Sequence, residues 1–183
     1  MTESAATQQT TLDKHWHLAE TEEEVRFSDL EFSLFRIGAA FDRWQKDCLA
    51  CCVGEGMGGM DNAILHMIRM HERPKSISEL SRLLNRDDIS NLQYSLRKLT
   101  SNGLVERVGK KESKRTATYQ ITAKGREITD LYMQYRRELL LPLTESIKNF
   151  DEDVIGTCRL LNLVSGIYDH ASSIAAAHPR DKG

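Results

Sequence analysis

The stretch from Ser76 to Gly125 constrains the fold more than any other part of this 183-residue chain. It opens on Ser76-Ile77-Ser78-Glu79, where a hydroxyl and a carboxylate three residues apart form a capping box that begins a helix. Apolar residues follow at helical spacing until Asn85-Arg86-Asp87-Asp88 interrupts them and supplies a cap for a second helix. The second helix carries its apolar side chains at Ile89, Leu92, Leu96 and Leu99, and it ends at Gly103. The pattern predicts two short helices with a tight break between them.

The second helix leaves several hydrogen-bonding side chains off its apolar stripe. They are Ser90, Asn91, Gln93, Tyr94 and Arg97. Such side chains suit base edges and phosphates, although a solvated helix face is the alternative interpretation. Two short strands, at 104–108 and 116–121, then predict a β-hairpin whose tip, residues 109–115, holds four cations and one acid. The basic hairpin favours the nucleic-acid interpretation.

These features together resemble a known family. The helix pair, the run Gly103-Leu104-Val105-Glu106-Arg107, the basic hairpin and Ile121-Thr122-Ala123-Lys124-Gly125 are similar to the winged helix-turn-helix of the MarR family of bacterial transcription regulators. Two motifs depart from the family pattern. The usual Ser-Thr-Val-Ser/Thr-Arg run of the recognition helix appears as Ser90-Asn91-Leu92-Gln93-Tyr94, and the Asp-x-Arg wing tip is replaced by separate lysines and an arginine.

The resemblance implies a fold class and a function. The fold is expected to be mainly α with a small β-hairpin wing, a winged helix-turn-helix joined to a helical dimerisation region. A homodimer would bind a near-palindromic operator in double-stranded DNA, as a repressor released by a small aromatic acid or thioester-like ligand. The residues expected to contact DNA are Ser76, Ser78, Ser90, Asn91, Gln93, Tyr94, Arg97, Lys110, Lys111, Lys114 and Arg115.

The distribution of charge agrees with DNA binding although the net charge does not. The whole chain carries −2, but Lys75 to Gly125 holds eleven basic and five acidic residues, so this segment is +6 and the remainder is −8. Because electrostatic interactions are screened over roughly 8 Å in physiological salt, the local patch decides the interaction.

Helices outside this unit carry long apolar stripes. A capping box at Ser28-Asp29-Leu30-Glu31 predicts a first helix with a heptad-like stripe, which a glycine-rich hinge ends before residue 60. A helix capped by Asp61 follows it. After the hairpin, a helix over about 126–141 is expected to kink or end at Pro142, and Asp151 is expected to cap the last helix. We expect dimerisation through Leu30, Leu34, Ile37, Phe41, Leu161, Val164 and Ile167.

These elements predict a domain organisation. It consists of a mostly disordered arm at 1–24, a dimerisation helix and hinge at 25–59, a winged helix-turn-helix at 60–125, dimerisation helices at 126–177 and a tail at 178–183. By the resemblance, an effector binds between the dimerisation helices and the winged helix. The candidate side chains in those elements are Arg36, Phe41, Arg43, Trp44, His66 and Arg69.

Four cysteines leave a second mechanism open. Cys48, Cys51 and Cys52 form a C-x-x-C-C run, so a thiol-based redox sensor of the same fold is the alternative to a ligand-controlled regulator. No second C-x-x-C is present to complete a structural zinc site, and no cofactor is expected. An enzyme is a remote alternative because nucleotide loops, metal boxes and triads are missing, and a wing used for protein contacts is disfavoured by its basic tip. A polar N-terminus and the lack of a long apolar run predict a cytoplasmic protein.

Overall fold

The computed structural model describes residues 17–53, 56–109 and 117–178. The chain divides into two compact units, Met1–Met133 and Gln134–Gly183. The first contains α1 (Glu22–Val53), α2 (Gly59–Arg69), a 3₁₀ turn (Met70–Glu72), β1 (Lys75–Ser76), α3 (Ile77–Leu83), α4 (Ile89–Ser101), β2 (Val105–Val108) and β3 (Thr118–Ile121). Helix α5 (Ala123–Tyr135) leads into the second unit, which contains a π-helical stretch (Arg136–Leu140), α6 (Leu141–Thr144) and α7 (Phe150–Ala177). The expected fold class, mainly α with a small sheet, is confirmed.

The helix pair α3–α4 forms as the sequence predicts. Ser76 is the N-cap of α3, where its Oγ accepts a hydrogen bond from Glu79 N at 3.2 Å. Asp88 is the N-cap of α4 and accepts from Asn91 N at 3.0 Å. The reciprocal half of the α3 capping box is replaced, because the Glu79 carboxylate forms an ion pair with Arg73 instead. The buried faces of both helices pack with α2 and the sheet in one core, through Leu49, Met57, Ile64, Leu65, Ile68, Leu80, Leu92, Leu96, Leu99, Leu104, Val105 and Ile121.

A three-stranded antiparallel sheet adjoins the helix pair, in the order β1-β3-β2. Val105 pairs with Ile121 and Val108 with Thr118 in the hairpin, while Lys75 pairs with Tyr119 on the other edge of β3. The apolar pattern of the sequence predicts the two hairpin strands but not β1, because a strand of two residues shows no periodicity. The short strand connects the root of the hairpin to the start of α3.

Gly125 explains the Ile121-Thr122-Ala123-Lys124-Gly125 motif in physical terms. A Cβ at this position would overlap the carbonyl oxygen of Leu104 and would lie 2.7 Å from Ile121 Cγ1. The Thr122 hydroxyl donates to Gly103 O at 2.7 Å and accepts from Gly125 N at 3.1 Å. The motif therefore starts α5 with its backbone pressed against the residue that precedes β2.

Three helix starts differ from the sequence prediction. Helix α1 begins at Glu22 rather than at Ser28, since Thr21 and Glu24 form the capping box, with Glu24 N to Thr21 Oγ1 at 3.2 Å and Thr21 N to Glu24 Oε2 at 2.9 Å. Helix α2 has Gly58 as its N-cap, and Asp61 accepts from Gly58 N at 2.8 Å from the third helical position. The last helix, α7, follows Asn149 in the left-handed conformation (φ 59°), so Asp151 lies in its first turn instead of capping it.

Pro142 produces the π-helical stretch in the long C-terminal helix. Proline has no N–H, so it cannot donate to the carbonyl four residues earlier, and its ring crowds that carbonyl. The backbone widens before it, and Leu141 N–H donates to Arg136 O, five residues back. The predicted kink at Pro142 is thus present as a π turn, and the helix ends at Thr144. None of the helices in the part of the chain that the structure describes is long and apolar enough to cross a membrane.

Candidate nucleic-acid interface

Helix α4 presents a polar face that a buried face holds in place. Leu92, Ser95, Leu96 and Leu99 are buried. The polar side chains predicted to contact DNA are all exposed: Ser90, Asn91, Gln93, Tyr94 and Arg97. Ile89, predicted on the apolar stripe, is 38% exposed at the first turn. The face is therefore both accessible and rigidly supported, as a recognition helix requires.

Asn91 already forms hydrogen bonds within the protein. Its backbone N–H and its side-chain amide both donate to the carboxylate of Asp88. The amide oxygen of Asn91 remains available as an acceptor, so the residue cannot offer adenine the paired donor and acceptor without giving up its contact with Asp88. Gln93 is therefore the better candidate for paired readout.

A groove of about 240 Å³ separates α4 from the sheet, and we call it the basic groove. Gln93 and Arg97 of α4 line one side, and Arg107 of β2 lines another, with Ile77, Ala117 and Tyr119 completing it. Two guanidinium groups and no carboxylate therefore line it. Arg107 was missed as a site residue, although it is the last residue of the Gly103–Arg107 run that carries the family resemblance.

The two serines of α3 differ in role. Ser76 caps the helix and lies 3.0 Å from Ser78 through their hydroxyl oxygens. Ser78 is exposed, whereas Ser76 is half-buried. Lys110, Lys111, Lys114 and Arg115 of the wing tip lie outside the described residues.

Lys75 is one of the eleven basic residues counted between 75 and 125, but it does not add to the positive surface charge. Its side chain is fully buried, and Nζ donates to Ile68 O at 3.2 Å, to Arg73 O at 3.3 Å and to Met70 O. It caps the carbonyl end of α2 from within the core and contributes no surface charge to the DNA-binding candidate. Exposed cations nearby include Arg82, Arg86, Arg97, Arg107 and Lys124.

Some of the predicted effector residues come together around a tyrosine that the sequence analysis did not select. Trp44 Nε1 donates to the hydroxyl of Tyr132 at 3.0 Å, and the His66 ring lies 4.4 Å from the Tyr132 ring, centroid to centroid. Arg69 is close in sequence but engaged, donating to Thr129 Oγ1 at 2.5 Å and pairing with Asp130 at 2.6 Å. We call Trp44, His66 and Tyr132 the aromatic cluster.

The other three effector candidates lie on exposed surface of α1. Phe41 and Arg43 are exposed, and Arg36 lies over the Phe32 ring at 5.7 Å. Tyr132 occupies a flanking apolar position of its helix, and its contacts with Trp44 and His66 distinguish it. The contact with Trp44 spans 88 residues of sequence, so no local pattern signals it.

The His66 ring is held uncharged. Its Nε2 is buried and has no hydrogen-bond partner among the described residues. Burial, reinforced by the positive charge of Arg69, lowers the pKa of His66 from 6.5 to about 4. The aromatic cluster is therefore neutral at physiological pH.

His66 makes a testable contribution to acid sensitivity. Because the folded-state pKa lies below the unfolded one, the stabilisation from a neutral His66 is complete above about pH 6.5 and is lost as pH falls toward 4. We expect His66→Phe, which keeps a ring against Tyr132, to reduce the loss of unfolding free energy across this window. Urea titrations between pH 4 and 7.5 measure the unfolding free energy of both proteins, and the difference between them at pH 7.5 serves as the baseline. If the unfolding free energies of the two proteins fall in parallel as pH falls, His66 does not contribute to acid sensitivity.

The cysteine run is mostly shielded. Burial raises the pKa of the Cys48 thiol to about 11 and also raises the pKa of Cys52. Cys52 Sγ donates to Cys48 O at 3.1 Å, while Cys51 is exposed. Thiols with raised pKa values are weak nucleophiles at neutral pH. Within the described residues, no group of three or more His, Cys, Asp or Glu side chains is placed to hold a metal ion.

The residues predicted to form a dimer fall into two classes. Val164 is buried, and Leu30, Leu34 and Leu161 are half-buried. Ile37, Phe41 and Ile167 have exposed fractions of 62%, 55% and 58%, and Phe35 beside them on α1 reaches 75%. Helices α1 and α7 each leave a row of large apolar side chains in solvent in the single chain.

Comparisons with known proteins agree with this geometry. A family model described as a winged helix DNA-binding domain matches residues 57–125. Three similar solved structures match this chain over nearly the whole of their own length. A mutant of MarR from E. coli complexed with operator DNA is 23% identical over 76% of this chain and 95% of its own, with a TM-score of 0.61. Staphylococcus aureus MarR in complex with salicylate and kanamycin is 18% identical over 80% and 95%, with a TM-score of 0.65. A MarR/EmrR family transcriptional regulator from Acinetobacter sp. ADP1 is 17% identical over 81% and 96%, with a TM-score of 0.58.

A search of curated proteins finds no match to this sequence. The domain match covers α2 to the start of α5, which is the part of the chain that carries the exposed face of α4 and the basic groove. The likeness to the solved structure from Staphylococcus aureus covers 80% of this chain, so it extends to the helices on either side of this domain. The chain therefore contains a winged helix DNA-binding domain at residues 57–125, and its fold is that of the MarR family of transcription regulators.

Proposed function

We propose that this protein is a dimeric transcription regulator that binds a near-palindromic DNA operator, acts as a repressor and is released by a small molecule. The observation that carries the proposal is the exposed polar face of α4, fixed by a buried apolar face and flanked by the basic groove. A helix so supported can enter the major groove without losing its packing. Such a regulator works where the DNA is, in the cytoplasm, and its chemistry is binding rather than catalysis.

Dimerisation is supported by the unpartnered apolar rows of α1 and α7. Large side chains with more than half of their surface exposed, such as Phe35, Ile37 and Ile155, are costly to leave in water. A second copy of the chain is the simplest cover, since a two-fold axis buries the same row on both subunits. In this organisation residues 25–59 and 126–177 form the dimerisation region, 60–125 the DNA-binding domain, and 1–24 and 178–183 the terminal arms.

The effector site is best supported at the aromatic cluster. Its neutral rings and the unpaired Nε2 of His66 suit a planar ligand that carries one hydrogen-bonding group. The similar structure of Staphylococcus aureus MarR is in complex with salicylate, a planar aromatic acid. The cluster joins α1, α2 and α5, so a ligand that parts them would shift α2 and the recognition helix that packs on it. The thiol alternative is less well supported, because the pKa of Cys48 and that of Cys52 are both raised.

Two substitutions test how DNA is read. Gln93→Ala should cost about 1–3 kcal/mol on the best operator and relax preference at one base position, because we propose that the Gln93 amide contacts a base edge directly. Lys114→Ala, in the wing tip, should weaken binding to all sequences alike and lower the salt slope by roughly one unit. Genome-wide recovery of bound DNA supplies the operator, and titrations across salt on operator and scrambled DNA supply both measurements.

The two variants serve as controls for each other. If Gln93→Ala weakens operator and scrambled DNA equally, α4 is not the recognition helix. If wild-type protein recovers no preferred DNA sequence, sequence-specific regulation itself is wrong.

A further inference from the structure

A second cavity adjoins α4 on a different flank from the basic groove, and the two share no lining residue. It encloses about 290 Å³ between α4, the first turn of α2 and the middle of α1. Helix α1 contributes Asp42 and helix α2 contributes Met60. The remaining lining comes from the turn before α4 and from its first two turns, including Leu92 and Tyr94. All of these residues belong to the first compact unit.

The interior of this cavity suits an aromatic ring system. Leu92 is buried and Met60 is half-buried, so they form an apolar floor, beside which the buried Ser95 adds one hydroxyl. Tyr94 is 58% exposed and supplies an aromatic wall. A volume near 300 Å³ is at the small end of ligand sites and accommodates a molecule of about a dozen non-hydrogen atoms.

The charged groups at the rim favour a cation. Asp42 lies against the first turn of α2, where a Cβ on Gly59 would overlap its carboxylate. Asp42 takes part in none of the ion pairs formed by the described residues. Among the residues that line the cavity there is one cation, Arg86, and there are two carboxylates, those of Asp42 and Asp88.

An anion would find its natural donor already occupied. The first-turn N–H groups of a helix attract anions, but Asp88 caps α4 and accepts from Asn91 N at 3.0 Å. The Asn91 side-chain amide donates to the same carboxylate. The cavity therefore offers a carboxylate in place of a positive helix end.

We propose that this cavity binds an aromatic organic amine, with the ammonium group on Asp42 and the ring between Met60, Leu92 and Tyr94. Tyr94 is suited to this because its exposed ring can pack against a second aromatic ring in an offset or edge-to-face arrangement. The ligand differs in charge from the aromatic acid proposed for the aromatic cluster, so the two sites have separate specificities.

Occupation of the cavity weakens operator binding, a consequence that rests on the proposed function. Asn91 and Tyr94 line the cavity and also belong to the exposed face of α4. A ligand that holds them against Asp42 and Met60 removes them from the DNA. Asp42 itself lies on α1 and is not among the residues proposed to contact DNA, so its substitution separates amine binding from DNA binding.

Isothermal titration calorimetry on the full-length protein tests the site with a matched pair of probes. Tryptamine and indole-3-acetate share a ring and differ in the sign of their charge. We expect tryptamine to bind once per chain, with indole-3-acetate at least about tenfold weaker at this site, because a charge-assisted hydrogen bond is replaced by repulsion. Asp42→Asn should lower tryptamine affinity about tenfold, whereas Asp47→Asn, an exposed carboxylate of the same helix outside the cavity, should leave it unchanged.

Amide chemical shifts in the tryptamine titration locate the site, and we expect the largest changes at Met60, Leu92 and Tyr94. Indole-3-acetate that shifts the same amides with the same affinity as tryptamine, unchanged tryptamine affinity in Asp42→Asn, or no binding at millimolar tryptamine would each overturn the proposal. On operator DNA, Asp42→Asn should bind as wild type does and lose the response to tryptamine. Unchanged operator binding by tryptamine-loaded protein would overturn the coupling. A protein without operator binding would instead refute the proposed function, while calorimetry still decides the amine site.

Discussion

Lysine at both Ile37 and Phe41 is expected to turn the protein into a folded monomer and to lower its affinity for operator DNA by roughly 10²–10⁴-fold. The two side chains are 62% and 55% exposed in the single chain. Substitutions at such exposed positions change the stability of an isolated chain by about 0.5 kcal/mol or less. In a dimer that buries them, each ammonium group would have to leave water, which is unfavourable without a partner. The operator affinity falls because the two half-sites no longer bind as one unit.

Sedimentation velocity at micromolar concentration and circular dichroism measure the two parts of this result. Asp29→Lys adds a similar charge to an exposed polar position of the same helix and should leave the dimer intact. A wild-type protein that sediments as a monomer, or a double variant that remains a dimer, would contradict the proposed dimerisation region. A double variant that loses its helical circular dichroism signal would show that Ile37 and Phe41 stabilise the fold of the single chain.

Methionine at Lys75 is expected to destabilise the protein by about 3 kcal/mol, because hydrogen bonds to charged groups contribute about 1.5–3 kcal/mol and three carbonyls lose their donor. Nζ is the partner of Ile68 O, Met70 O and Arg73 O, and the side chain is fully buried. These carbonyls lie at or beyond the C-terminal end of α2, where a positive charge is also favoured by the helix dipole. Methionine fills a similar volume, so lost packing contributes little.

The pH dependence of this difference sharpens the test. Burial is the main cause that lowers the pKa of Lys75, and the charge of Arg73 adds to it. The unfolded chain then binds the proton more tightly, so wild-type stability relative to Lys75→Met should rise with pH between the lowered pKa and about 10.4. Urea unfolding measures both effects. Lys124→Met, which removes a surface contact to Asn102 O at 3.0 Å, should cost about 0.5 kcal/mol. Equal losses in the two variants would contradict the structural role of Lys75.

The DNA-binding unit could be predicted because its signals are local. The apolar spacing from Leu80 to Leu99, the cap at Asp88 and the glycine at 103 each specify a feature within a few residues, and α3, α4 and the two wing strands follow. The exposed face of α4 follows from the same periodicity. The family resemblance added the recognition role of α4, which stays a prediction, and the domain match at residues 57–125 agrees with a winged helix.

Features set by contacts distant in sequence could not be predicted. Lys75 looks like one more surface cation, and its burial depends on where the end of α2 lies. Tyr132 becomes a site residue through His66 and through Trp44, which is 88 positions away. The predicted start of α1 was wrong for another reason. Thr21–Glu24 and Ser28–Glu31 both match the capping-box pattern, and the helix begins at the earlier of the two. Arg107 was missed because strand alternation does not show which edge of a sheet faces a helix.

The central place of β3 has a consequence for how such a protein can diverge or be redesigned. Strand β3 pairs with the segment before α3 on one edge and with β2 on the other, so the root of the hairpin is clamped from both sides. The segment of seven residues between Gly109 and Ala117 can then be lengthened, shortened or changed in charge while α4 keeps its position. In the proposed mode of DNA binding, affinity for the DNA backbone depends on the tip and choice of operator sequence depends on α4, so the two become separately adjustable. A strand of two residues, Lys75–Ser76, makes that separation possible.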